Sequence, residues 1–129
     1  MKRIQINTKS RSQMIDVTRQ VAQAVNESGV QYGICTVFVP HTTAAVTINE
    51  NADPDVTRDI LDKLDRTFPR QDGYRHYEGN SASHIKASIF GFSETILVES
   101  GSLVLGTWQG IYFCEFDGPR TRNFIVDVK

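Results

Sequence analysis

Long apolar runs are missing from this chain: nothing in it approaches the roughly 20 consecutive apolar residues that a membrane-spanning helix needs, so membrane insertion is not expected. An excess of one charge is missing too. With 14 basic and 15 acidic side chains the net charge is -1, which argues against a nucleic-acid or membrane-surface binder, and no stripe of basic and aromatic residues appears. Cysteine is scarce. Cys35 and Cys114 sit inside apolar, strand-like runs without a CxxC pattern, so two buried, reduced thiols of a cytoplasmic protein are the expectation. The segment Met1 to Asn7 carries two cations but lacks the apolar stretch of a secretory signal. There is no Gly-rich phosphate loop, no paired-Asp motif for a magnesium diphosphate, no internal repeat and no linker.

What is present suits one domain over residues 1–129, long enough to bury a substantial core without a metal or disulfide. Ile4 and Ile6 mark a first strand. Ser10 or Ser12 can cap a helix in which Met14, Val17, Val21 and Ala24 recur at helical intervals, with Ile15 and Val25 widening the stripe and Gly29 as the stop. Tyr32 to Val39 is almost continuously apolar, as expected of a strand covered on both faces, and Ala44 to Ile48 is a second strand. Asp53-Pro54 opens a helix whose apolar face is Val56, Ile60, Leu64 and Phe68. The last third is strand-rich, with Ser100-Gly101 as a hairpin turn and Asp117-Gly118-Pro119-Arg120 as a further turn. The fold class is therefore α+β, with a largely antiparallel sheet and two or three helices.

Chemistry-bearing residues gather between His76 and Lys86, the sequence His-Tyr-Glu-Gly-Asn-Ser-Ala-Ser-His-Ile-Lys. Two of the three histidines fall within these eleven residues, beside a carboxylate, an amide, hydroxyls and an ammonium group. Asn80 or Ser81 can cap a short helix that packs through Ile85 and Ile89 and ends at Gly91, and the amides at its start are an anion site. The third histidine, His41, follows Pro40 at a strand end, and Glu50 lies on a similar border before Asp53. Glycines on either side of Trp108, the only tryptophan, permit close backbone approach, so Trp108 either covers a ligand or fills a corner.

His41, His76 and His84, with an open fourth position, make a competent set for a divalent metal, zinc or magnesium. Without a metal the same residues suit acid, base and phosphate-ligand roles. Lys86, Arg120 and the amides near Asn80 and Ser81 would then neutralise an anion, and Glu50 would serve as a base or orient a histidine.

Four stretches carry a resemblance over essentially the whole chain: His41-Thr42-Thr43-Ala44, Asn49 through Asp55, His76 through Lys86, and Gly106 through Gly110 with Glu115 through Arg120. In these the chain resembles the YjbQ family, formerly UPF0047. The resemblance implies a small α+β protein with a β-sandwich-like body, a homotrimer, and a secondary thiamine-phosphate synthase activity. That transferase joins hydroxymethylpyrimidine diphosphate to a thiazole phosphate and releases pyrophosphate. The other class of function is a trimeric protein that binds a metal or a phosphorylated ligand without turnover.

Overall fold

A computed structural model describes every residue from Met1 to Lys129. In chain order the elements are β1 (Lys2–Asn7), β2 (Gln13–Asp16), α1 (Thr18–Ser28), β3 (Tyr32–Phe38), β4 (Ala44–Glu50), α2 (Pro54–Thr67), α3 (Ser81–Phe90), β5 (Ser93–Glu99), β6 (Ser102–Leu103), β7 (Gln109–Glu115) and β8 (Thr121–Val128). They form a five-stranded sheet, β1-β8-β3-β5-β6, and a three-stranded sheet, β2-β7-β4, with every pairing antiparallel. The α+β expectation therefore holds, with three helices. No helix is long and apolar enough to cross a membrane.

The period-2 alternation of β4 and β7 builds two cores from one sheet. Ala44, Val46, Ile111 and Phe113 point toward the larger sheet and α1, joining Val21, Val37, Phe124 and Val126 in the main cluster. Ala45, Tyr112 and Cys114 point the other way, against Ala87, Phe116 and the half-buried Leu61 and Leu64 of α2. The small sheet is thus a middle layer.

Three expectations are corrected. Met14 and Ile15 belong to β2, which pairs with β7 from Gln13↔Glu115 to Asp16↔Tyr112, and the helix begins only at Thr18. The helical spacing was real, but covering the open edge of β7 outweighs it. Neither Ser10 nor Ser12 caps that helix; the Asp16 carboxylate accepts from the Thr18 amide at 2.9 Å and its hydroxyl at 2.6 Å. Second, β3 is covered on one face only. Cys35 and Val37 are buried, whereas Tyr32, Ile34 and Phe38 are 72%, 47% and 43% exposed. Third, α3 does not pack through Ile89, which is 59% exposed. Its buried face is Ala82, Ser83, Lys86 and Ala87. Small side chains let this helix lie close against β4, where a branched residue would hold it away.

Other local readings hold. Asp53 caps α2, accepting from the Asp55 amide at 2.9 Å, with Pro54 in the first turn. Ser100 and Gly101 both take positive φ at the β5–β6 turn. Both cysteines are free and buried; burial, with Asp127 nearby, pushes the Cys35 thiol up to about 11, and burial raises that of Cys114 further.

Candidate functional site

The start of α3 organises the site. Asn80 occupies the cap position, and its carbonyl accepts from the Ser83 and His84 amides at 3.0 and 3.3 Å. Its side chain does not cap. Nδ2 donates to Asp117 Oδ2 at 3.0 Å, tying the helix start to the turn after β7, and Oδ1 is buried with no hydrogen-bond partner. A buried amide oxygen left as an acceptor marks a place where a donor is wanted.

His84 lies one turn into α3, and the loop before it brings His76 alongside. The ring centroids are 5.6 Å apart and the planes are near perpendicular, at 86°. Both rings line a hollow of about 480 Å³ together with Tyr74, Arg75, Ser81 and Ile85. Glu78 stands 3.8 Å from His76 Nε2, a largely exposed contact that orients the ring weakly. Arg75 is a site residue absent from the sequence expectation, and the signal for it is its place next to His76. The hollow can hold an anion between a guanidinium, two imidazoles and the amides of the first turn.

His41 is elsewhere. It lines a separate, apolar hollow with Phe38, Pro40 and Phe92. Its Nε2 accepts from the Asn123 amide at 3.0 Å, filling the ladder position on β8 where β3 has ended. Burial first, and then the Arg122 charge, hold its pKa below the ordinary imidazole value, so the neutral ring is favoured. Within one chain, no group of three His, Cys, Asp or Glu side chains is placed to hold a metal ion. Two imidazoles meet; the third does not join them.

The remaining predicted residues are dispersed. Glu50 ends β4 and its carboxylate accepts from the Asp53 amide at 3.3 Å, so it shapes the turn into α2. Trp108 is 62% exposed at a turn whose carbonyl accepts from the Asn51 amide. The neighbouring Gly110 does allow close approach: a Cβ there would come within 2.5 Å of the Asn51 side chain. Arg120 folds back on Asp117, donating to its carbonyl at 2.9 Å and its carboxylate at 3.2 Å. Lys86 faces a different cleft from His84, reaching Asp65 at 2.5 Å.

Beneath these residues lies an ionic knot the sequence did not reveal. Glu115 and Arg122 occupy inward positions of β7 and β8 and are 0% and 3% exposed. Arg122 grips the carboxylate with Nε at 2.9 Å and Nη2 at 2.5 Å, and Nη2 also donates to Thr43 Oγ1 at 2.8 Å. The Thr8 hydroxyl and the Asp117 amide complete the carboxylate's shell. Burial alone would raise the Glu115 pKa, but the bonds from Arg122 and Thr8 outweigh it and hold the carboxyl below its usual range. Gly118 is required here, since a Cβ would sit 2.3 Å from the Ser10 carbonyl. The knot positions Asp117, and through it Asn80.

Similarity to known proteins agrees with this architecture. The family model described as UPF0047 protein YjbQ-like matches residues 2–129. The chain belongs to that family. The UPF0047 protein YugU of Bacillus subtilis is 54% identical over 129 residues, spanning 99% of this chain and 98% of that protein. A UPF0047 protein of Methanocaldococcus jannaschii is 50% identical, spanning 96% and 90%. Among solved structures, a YjbQ/UPF0047 protein of Clostridium acetobutylicum, described as uncharacterized, superposes with a TM-score of 0.99 at 56% identity over 100% of both chains. A Sulfolobus solfataricus relative of unknown function gives 0.95 at 35% identity, covering 98% and 94%. The YjbQ fold is shared even where two thirds of the side chains differ.

Proposed function

We propose that this YjbQ protein is a small transferase acting on a phosphorylated substrate at the His76–His84 hollow, with thiamine-phosphate synthesis as its reaction. The observation that carries this reading is the pair of imidazoles 5.6 Å apart in one hollow with Arg75 and Ser81. In that reaction a thiazole nitrogen forms a bond to the pyrimidine's methylene carbon. The carbon–oxygen bond to the diphosphate breaks, and its electron pair leaves with pyrophosphate. No proton has to move in this step. Negative charge grows on the departing oxygens, where Arg75, an imidazole N–H and the α3 amides supply donors.

The ring separation also suits one shared metal, since two imidazoles on a tetrahedral zinc have centres about 5 Å apart. His76 and His84 would hold that ion as zinc, which would supply further positive charge toward the diphosphate; their nitrogen donors do not suit magnesium, which takes oxygen ligands. A third imidazole is available only from another copy of the chain. The exposed face of β3 and β5 supports such a homotrimer: Ile34 and Leu97 are cross-strand neighbours, with Phe38 nearby and His41 beyond its end. Sedimentation of wild type and Phe38→Glu tests this, with trimer expected for the first and monomer for the second.

The activity is tested by pyrophosphate release from the two substrates, comparing wild type with His84→Ala. A loss of about 10²-fold or more is expected for removing one donor to the departing oxygens. Equal turnover in both, or none in either, contradicts the reading. Elemental analysis of untagged protein separates the versions: less than about 0.1 metal per chain removes the metal, while a full complement without turnover favours a binding protein.

A further inference from the structure

Helix α3 has two functional flanks. Ser81 and His84 face the histidine hollow, whereas Lys86 lies at the base of a second cleft, of about 470 Å³, between the turn that follows β1, the end of α2 and α3 itself. Arg11 and Arg70 stand at its walls with the hydroxyls of Ser10 and Ser12, and Asp65 is its one acidic lining residue.

The Lys86 side chain is only 6% exposed, an expensive place for an ammonium group unless its donors are used. Asp65 takes one of its three N–H groups and is itself 58% exposed, so the partner is a surface carboxylate reaching in. Arg11 lies 3.8 Å from Asp117, too far for a hydrogen bond, and Arg70 makes no ion pair in the chain. Three cations thus face one cleft against a single lining carboxylate, and two are guanidiniums, whose planar forks match phosphate oxygens. The volume is several times that of a phosphate ion and falls in the range of small-molecule sites.

We propose that this cleft binds the phosphate group of a small phosphorylated molecule through Arg11, Arg70 and Lys86, with Asp65 holding Lys86 until the phosphate arrives. The cleft needs nothing from the histidines. It would bind phosphate whether or not the other flank of α3 is a transferase site.

Calorimetric titration of the intact protein with inorganic phosphate, followed by competition with methyl phosphate, provides the test. Wild type is expected to bind both, each in competition with the other. Arg70→Ala, a surface change that should leave the fold intact, is expected to weaken phosphate by at least about tenfold, as is Arg11→Ala. Asp65→Asn frees Lys86 from its competitor and is expected to tighten phosphate by about threefold or more. Lys63→Ala, an exposed cation of α2 outside both hollows, should stay within about twofold of wild type. Methyl phosphate failing to displace phosphate would overturn the phosphorylated-molecule assignment. Phosphate affinity unchanged in Arg70→Ala and Arg11→Ala, or no binding by wild type up to about 10 mM, would overturn the site. Loss of binding in His84→Ala alone would move the anion to the other hollow and equally defeat the proposal.

Discussion

Two polar clusters linked through the Asn80–Asp117 hydrogen bond spend their bonding capacity in opposite ways. In the knot around Glu115 and Arg122, the carboxylate is met by a guanidinium, a hydroxyl and a backbone amide, all from the same chain and all out of water. Around α3 the capacity is left open. Lys86 uses one of three donors, and the His76 and His84 rings meet at the wall of a hollow. A polar group whose bonding is complete within the fold is there for the fold; one left incomplete at a cleft is there for something that arrives.

The sharpest way to break this contrast is to remove one half of the knot. Arg122→Met should cost about 3–5 kcal/mol in denaturant unfolding, because Glu115 is left charged and buried. Replacing both partners, as Glu115→Leu with Arg122→Met, should recover more than half of that loss. A double variant no better than the single one would mean that the pair does more than neutralise itself.

The knot should also show in the response to acid. Glu115 is held below its ordinary pKa, so its contribution is complete above the unfolded value near 4.3 and is lost as pH falls through the lower folded value. His41, also lowered, adds an earlier decline. The unfolded chain takes up its proton below about 6.5 while the folded ring resists, so stability is full above that pH and falls below it. Thermal unfolding from pH 8 to pH 3 should show a shallow loss and then a steeper one, and His41→Gln should remove the first.

Lys86→Met should change unfolding by less than about 1.5 kcal/mol, since a similar volume replaces an ammonium whose only partner is at the surface. The same variant should lose phosphate. A stability loss as large as that of Arg122→Met would place Lys86 with the knot and not with the cleft.

Much of the fold could be read from the chain because the signals were local. Asp53-Pro54 announces α2, Ser100-Gly101 announces a hairpin, and Gly91 ends α3 wherever the rest of the molecule lies. Met14 and Ile15 misled because an edge strand and a helix stripe can share the same few apolar residues, and only the presence of β7 decides between them. Ile89 is apolar yet exposed, because the close approach to β4 selects the small side chains Ala82, Ser83 and Ala87 for the buried face. Within the site, His76 and His84 were legible together because one loop and one helix carry both. His41 was not, since it is 35 positions from His76 and its ring is engaged by Asn123 on β8. Glu115 and Arg122 were hidden because strand alternation assigns them inward positions that charged residues seldom fill without a partner, and the partner comes from another strand.

Urea unfolding of the His76→Ala, His84→Ala double variant, run beside Arg122→Met, addresses the contrast most directly. The two histidines should be removable with a change within about 0.5 kcal/mol, while the arginine is not. A double variant that unfolds as readily as Arg122→Met would show that the imidazoles are part of the scaffold, and the distinction between the two clusters would fail.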